Sequence, residues 1–276
     1  MKVFEVIRSG ARRLQGASTT PDLDAEYLMA HAARCNRSEL WRLDIDGIAA
    51  PAEEFDALIE RRLTGEPLAY ILGNAEFFGR TFRVTPAVLI PRSDSETLIY
   101  AMQEFVPQAK RVLDMGTGSG ALFVTALLEL EDASGVAIDA SQDALFVAEN
   151  NAQRLGLGRK QAKFAMRDWT QDGWAEGLGR FDLILCNPPY VEAGAALDRG
   201  VRDFEPHSAL FAGAEGLDDY RIIIPQLRKL MTDGALAILE IGHEQSSAVT
   251  EIAQAAGFAV TLRKDLANRP RALVLT

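Results

Sequence analysis

A chain of 276 residues, 48% of them hydrophobic and 25% charged, has the makeup of a globular protein with room for two modest domains. No apolar run approaches the roughly 18 residues of a membrane span, so no membrane association is expected. The formal net charge of -10 weighs against a protein built to grip a phosphate backbone and is compatible with a protein partner that presents a basic surface.

The opening MKVFEVIRSGARRL scatters charges where a secretory signal needs an apolar block, and the two cysteines, Cys35 and Cys186, form neither a metal spacing nor a disulfide framework. A reduced, cytoplasmic protein is expected. His31, His207 and His243 show no metal-ligand spacing, so no metal is expected.

The first 75 residues read as helices. Thr20-Pro21 has the form of a helix start, a hydroxyl cap before proline, with Leu23, Tyr27, Leu28 and His31 on one face. A second pattern opens at Pro51 and carries an apolar stripe of Phe55, Leu58, Ile59 and Leu63, with Gly65 and Pro67 ending it. At Ala75 the texture changes. EFFGRTFRVTPAVLIPR sets β-branched and aromatic residues on both sides of Gly79-Arg80, which predicts a hairpin. The expected domains are a helical one over 1–75, a hairpin linker over 76–92 and a larger domain over 93–276.

From Ser93 onward strands and helices alternate. Strands are predicted at Arg111–Met115, Gly135–Asp139, Lys163–Met166, Phe181–Cys186 and Ala235–Ile241, with two more near Val260 and Ala272. Helices are predicted from the glycine turn to Leu130, at Ala144–Leu155, Leu217–Met231 and Ser246–Ala256. Seven strands in this alternation imply an α/β fold with a doubly wound, mostly parallel, Rossmann-like sheet. Glu192–Gly200 is small and polar enough to be a mobile loop over a site.

Asp114-Met115-Gly116-Thr117-Gly118-Ser119-Gly120 stands where the first of these strands gives way to its helix. Glycines there permit positive φ and bring the backbone close to a ligand. Asp139 ends the second strand, on the carboxyl edge where open α/β sheets bind ligands, and can accept both hydroxyls of a ribose. A glycine turn alone also suits a nicotinamide dinucleotide. The spacing GTGSG, with no G-x-G-x-x-G, favours S-adenosylmethionine. Asp168-Trp169 follows the third strand, where Trp169 is either a core aromatic or one wall of an adenine site.

Asn187-Pro188-Pro189-Tyr190 follows directly on the apolar strand Phe181–Cys186 and therefore faces a cofactor held over the first strand. The residue types suit one chemistry. A planar NH2 group has its lone pair delocalised, as in a peptide bond, and is a poor nucleophile. The Asn187 side-chain carbonyl and the Pro188 main-chain carbonyl can accept its two N–H bonds, and Tyr190 can lie against its plane. Orientation of this kind is worth about 7–11 kcal/mol of barrier. Methyl transfer to the nitrogen of such a group is the expected reaction, with Asn187, Pro188 and Tyr190 as catalytic residues.

The chain also resembles a known family over nearly its whole length. DAEYLMAHAARCNRSEL, RRLTGEPLAYILGNAEFFGRTFRV, VLIPRSDSETL, VLDMGTGSGAL, FDLILCNPPYV, FEPHSALFAGAEGLDDYR and LEIGHEQ are similar to segments of the PrmC/HemK protein-(glutamine-N5) methyltransferases. Ser93 and Ser95 stand where that family usually has proline and threonine, and Met115 where it has leucine or valine. The resemblance implies a class I methyltransferase fold in which Gly116, Thr117, Gly118, Ser119, Gly120, Asp139, Trp169 and Asn187 contact S-adenosylmethionine. It implies that Asn187, Pro188, Pro189 and Tyr190 frame a glutamine in the Gly-Gly-Gln loop of peptide chain release factors, and that the helical domain helps dock that partner.

Other readings remain at this level. Adenine also carries a planar NH2, so an N6-adenine methyltransferase on DNA or RNA would need a similar site and a flipped base. The first 75 residues hold 9 Lys and Arg against 12 Asp and Glu, which supplies no basic recognition region. A glutamine methyltransferase acting on a ribosomal protein would share all the chemistry. A non-enzymatic binding module would not need both ends of the site. A monomer without stable nucleic-acid binding is expected.

Overall fold

The computed structural model describes residues 2–276, which pack as two units. The first holds the residues up to Asn74 together with Leu197–Phe204, and the second holds Ala75–Ala196 and Glu205–Thr276.

The first unit is helical: α1 (Val3–Leu14), α2 (Pro21–Ala32), α3 (Leu40–Ile45), α4 (Ala52–Leu63) and α5 (Leu68–Leu72). Val3, Val6, Ile7, Gly10, Ala11 and Leu14 make the buried stripe of α1 at helical spacing. Gly10 is required there, because a Cβ would stand 2.5 Å from the Phe55 ring. The α4 stripe lies as predicted, with Phe55 and Ile59 buried and Leu58 and Leu63 partly buried against the same core.

The face of α2 differs from the expectation. Ala25, Leu28 and Met29 are buried, while Leu23 and Tyr27 are exposed by 38% and 37% and His31 lies outside. An acid turns the helix. Asp24 is buried and accepts hydrogen bonds from Arg62 Nε (2.8 Å), Ser18 Oγ (2.7 Å) and Thr20 Oγ1 (2.9 Å). The Thr20 hydroxyl is thus spent on Asp24 and does not cap the helix. Without Asp24 the largely buried Arg62 guanidinium loses its carboxylate and keeps only the Glu66 carbonyl, so Asp24→Ala is expected to destabilise the protein by about 3 kcal/mol. A denaturant midpoint within experimental error of the parent would show that the pair does not hold α2.

The second unit begins with a hairpin of β1 (Asn74–Phe77) and β2 (Arg80–Arg83), turning through Phe78 and Gly79 at φ +49° and +69°. Glu96 steadies this turn by accepting the Phe78 N–H at 2.8 Å. Seven more strands form one sheet: β3 (Arg111–Met115), β4 (Ser134–Asp139), β5 (Ala162–Met166), β6 (Phe181–Cys186), β7 (Met231–Glu240), β8 (Val260–Lys264) and β9 (Pro270–Leu275). Their order is β5-β4-β3-β6-β7-β9-β8, with only the pairings to β9 antiparallel. Helices α6 (Glu96–Phe105), α7 (Ala121–Glu129), α8 (Gln142–Arg154), α10 (Asp218–Ile223), α11 (Leu227–Leu230) and α12 (Ser246–Ala255) cover it, and α9 (Arg199–Phe204) belongs to the first unit.

Strand residues alternate between two cores, Val112, Leu183 and Leu185 on one face and Leu113, Ile184 and Cys186 on the other. The chain runs outward from β3 to β5 and then returns to place β6 on the other side of β3. That reversal makes the carboxyl ends of β3 and β6 the switch point where ligands of such sheets bind.

Three other expectations change. The helix predicted over Leu217–Met231 breaks into α10, a tight turn at Ile224–Gln226 and α11, because Pro225 has no N–H to continue the ladder. Helix α6 was not predicted. The expected loop over Glu192–Gly200 runs into α9. Among the described residues no helix is long and apolar enough to cross a membrane, and no cluster of His, Cys, Asp and Glu could hold a metal ion.

Candidate active site

A cavity of about 550 Å3 opens at the carboxyl edge of β3, β4, β5 and β6. Gly116, Thr117, Gly118, Ser119, Asp139, Trp169, Asn187 and Pro189 line it. Gly120, Pro188 and Tyr190 do not.

Sheet register explains the convergence. Met115 pairs with Ile138 on one side and Cys186 on the other, so Gly116, Asp139 and Asn187 each follow one of three residues at the same level. The Gly116 and Thr117 N–H groups both donate to the Ile138 carbonyl (2.9 and 3.0 Å), pinning the turn to β4. Gly118 N–H donates to Asp139 Oδ2 at 2.9 Å, and Gly120 N–H to the Thr117 carbonyl at 2.8 Å. The glycine N–H groups are therefore used inside the turn, and what it offers a ligand is bare backbone. Gly116 sits at φ +71°, and a Cβ there would meet the Trp169 ring at 3.0 Å. Trp169 is held by its own Nε1–H, donated to Asp219 Oδ1 at 2.6 Å.

Asp139 is mostly buried, and burial pushes its carboxyl up. Its Oδ1 accepts from Ser141 N–H at 2.9 Å, so each oxygen holds one backbone N–H and keeps acceptor capacity for hydroxyls. Asp168 is exposed. The Thr170 hydroxyl and N–H, at 2.7 and 2.9 Å, hold its carboxyl below the usual range.

Under the turn, Asp114 is fully buried, and both its oxygens and the Thr117 hydroxyl lack a hydrogen-bond partner. Burial, with the negative Asp139 nearby, pushes the Asp114 carboxyl up to about 7. A carboxyl that binds its proton more tightly folded than unfolded stabilises the fold below its unfolded pKa and loses that contribution as pH rises through the folded value. Asp114→Asn is thus expected to melt higher than the parent at pH 8, by an amount corresponding to roughly 2–4 kcal/mol, with the difference vanishing near pH 4. A difference independent of pH would contradict the assignment.

Asn187 leaves β6 with its Nδ2 directed to Ser95 Oγ at 3.4 Å. Its main-chain carbonyl comes within 3.9 Å of where a Gly116 Cβ would be. The strap that follows is tied down. Val191 N–H donates to the Leu210 carbonyl (2.8 Å), Ala212 N–H to the Val191 carbonyl (2.9 Å), and Gln245 Nε2 to the Tyr190 carbonyl (2.9 Å). The Tyr190 hydroxyl donates to Glu240 Oε1 at 3.0 Å, and burial, with the negative Glu240 nearby, pushes the phenol well up. Its ring is anchored from behind, away from the cavity wall. Cys186 is buried, and burial beside Asp114 raises its thiol far above the ordinary value, which fits a core residue.

Several lining residues escaped the sequence reading: Phe77, Arg92, Ser95, Ser141, Phe211 and Asp219. Asp219 and Ser95 lie in quoted segments, GLDDYR and SDSETL, yet nothing in their spacing marks them as part of a site.

A central strand capped by a glycine turn, with the order β5-β4-β3-β6-β7-β9-β8 and one reversed strand, defines a Rossmann-like class I methyltransferase. Residues 92–209 match the family model of the methyltransferase small domain, and residues 5–73 that of the PrmC N-terminal domain. The release factor glutamine methyltransferase of Koribacter versatilis is 38% identical over 258 residues, covering 91% of this chain and 90% of its own. That of Neisseria gonorrhoeae is 39% identical over 261 residues, covering 93% of each. This chain belongs to the release factor glutamine methyltransferase family. The catalytic domain of hMettl16, solved in complex with a MAT2A 3'UTR hairpin, shares the fold at a TM-score of 0.57 and 16% identity over 82% of this chain and 80% of its own.

Proposed function

We propose that this protein transfers a methyl group from S-adenosylmethionine to the side-chain amide nitrogen of the glutamine in the Gly-Gly-Gln loop of a peptide chain release factor. The observation that carries the reading is the emergence of Asn187 and the glycine turn at one sheet level, on a chain of this family.

The cavity suits the cofactor. Gly116 has no Cβ and must have none, and Asp139 keeps two acceptor sites free. S-adenosylmethionine, when bound, supplies an electrophilic methyl group on a sulfonium. Gly116 through Ser119 would cradle it, Asp139 would accept from its ribose, and Trp169 with Asp168 would flank its adenine.

The protein's task toward the substrate is orientation. Asn187 Oδ1 and the Pro188 carbonyl accept the two amide N–H bonds, which fixes the plane of the group and turns the face of the nitrogen to the methyl. The N–H bonds become more polar as the new C–N bond forms, so both acceptors strengthen in the transition state. Pro189 walls the site, and Tyr190, fixed by Glu240 and Gln245, keeps the strap from swinging. The helical unit is assigned to docking the release factor.

Incubation with methyl-labelled S-adenosylmethionine, purified release factor, ribosomal protein and adenine-containing DNA in parallel tests the substrate class. Label on release factor alone supports the reading. Label on nucleic acid or ribosomal protein alone overturns the substrate and keeps the chemistry.

A further inference from the structure

Trp169 stands on the loop past the end of β5, and the loop does not hold its ring. Asp168 before it is turned to its own neighbours, its Oδ1 accepting from the Thr170 hydroxyl and N–H (2.7 and 2.9 Å) and its Oδ2 from Gln171 Nε2 (3.4 Å). The Trp169 ring is partly buried against the core that holds Leu113, Ile184 and Cys186, and the rest of the residue lines the cavity. An indole fixed by apolar contact alone can still turn about its two side-chain torsions. Its one polar atom, Nε1, is a donor only, so an acceptor in a fixed place is what locks the pose.

That acceptor comes from 50 residues downstream. Asp219, in the first turn of α10, takes the Nε1–H on its Oδ1 at 2.6 Å. At the other end of the indole, Cη2 and Cζ3 would stand 3.0 and 3.4 Å from a Cβ on Gly116. Nε1 belongs to the five-membered ring and those two carbons to the six-membered ring. The indole therefore reaches from α10 to the glycine turn, tied at the first end and seated on bare backbone at the second. We propose that Asp219 is a positioning residue for the cofactor, which by accepting the Trp169 Nε1–H holds the indole in the pose that takes the adenine. The inference rests on the adenine wall proposed for Trp169.

Calorimetric titration with S-adenosylhomocysteine reads the effect without turnover. Asp219→Leu, close in volume but with no acceptor, is expected to weaken binding at least about tenfold. 5′-Methylthioadenosine, which keeps the nucleoside and lacks the amino-acid tail, should lose the same factor. Asp219→Asn keeps an acceptor oxygen and should stay within about threefold of the parent. The anchor acts through one N–H, so in a Trp169→Phe background Asp219→Leu should add less than about twofold.

The indole N–H resonances of the ligand-free protein report the pose itself. The three tryptophans differ in their partners: Trp169 donates to Asp219, Trp174 to Gln226 Oε1 at 2.9 Å, and Trp41 is 56% exposed. The signal that disappears in Trp169→Phe should move upfield and exchange faster with water in Asp219→Leu, and move far less in Asp219→Asn.

Parental affinity in Asp219→Leu, beside a weakened Trp169→Ala, would overturn the inference and leave the adenine wall standing. Equal losses in Asp219→Leu and Asp219→Asn would overturn it too. So would a full loss from Asp219→Leu on top of Trp169→Phe, since Asp219 would then act on the cofactor without the indole. Parental affinity in Trp169→Ala, or a parent that binds neither ligand, would instead remove the reading beneath it. If Asp219→Leu does not fold, Trp169→Phe, which removes the N–H and keeps a ring, carries the test, and parental affinity there overturns the inference.

Discussion

Asn187→Ala is expected to lower turnover by a hundred- to a thousandfold, about 2.7–4 kcal/mol of transition-state stabilisation. The magnitude follows from where the acceptor acts. Asn187 Oδ1 is assigned to an N–H bond that grows more polar as the nitrogen gives up its delocalised lone pair, so the lost interaction belongs to the transition state more than to binding. KM for the release factor should therefore change little beside kcat. The side chain is half-buried, and its one hydrogen bond in the structure is the long contact to Ser95, so the cost to folding should stay near 1 kcal/mol. Steady-state kinetics with a thermal melt on the same preparation separate the two effects. A variant with near-parental turnover would remove Asn187 from the mechanism.

Asp139→Ala carries the second large effect, on cofactor affinity. Its carboxylate has two duties. It ties the glycine turn to the strand end through Gly118 N–H and Ser141 N–H, and it is assigned to accept ribose hydroxyls. Loss of a charged acceptor costs about 1.5–3 kcal/mol for each hydrogen bond, so Kd for S-adenosylmethionine should rise at least about a hundredfold. Asp139→Asn keeps one acceptor oxygen and should fall between that variant and the parent. Calorimetric titration reads both, and an unchanged affinity in Asp139→Ala would contradict the ribose assignment.

Most of the sheet was legible in the sequence because its strands are short, apolar on both faces and followed by punctuation. Arg111–Met115 and Phe181–Cys186 were read to the residue, one ending at the glycine turn and the other at Asn187. Such signals are local. The misreadings share the opposite property. Leu23 and Tyr27 fit an apolar stripe at helical spacing, but Arg62, 38 residues away, draws Asp24 inward and rotates α2. Pro225 was visible, yet the apolar pattern around it favoured an unbroken helix.

The candidate site divides the same way. Glycine turn, strand-end acid and the Asn-Pro-Pro-Tyr strap are runs of adjacent residues and could be read directly. Ser95, Glu240 and Gln245, which brace the strap, come from α6's entry, the end of β7 and the loop beyond it. Contacts across such sequence separations leave no mark in spacing. The Tyr190 hydroxyl is one example. Its partner, Glu240, lies 50 residues downstream.

Locating the transferred methyl tests the central claim most directly. Release factor would be incubated with this enzyme and S-adenosylmethionine, digested, and fragmented by tandem mass spectrometry, beside a release factor whose Gly-Gly-Gln glutamine is replaced. One added methyl on the side chain of that glutamine, and none on the replaced protein, is the predicted result. A methyl elsewhere on the factor, or equal methylation of the replaced protein, would contradict the account.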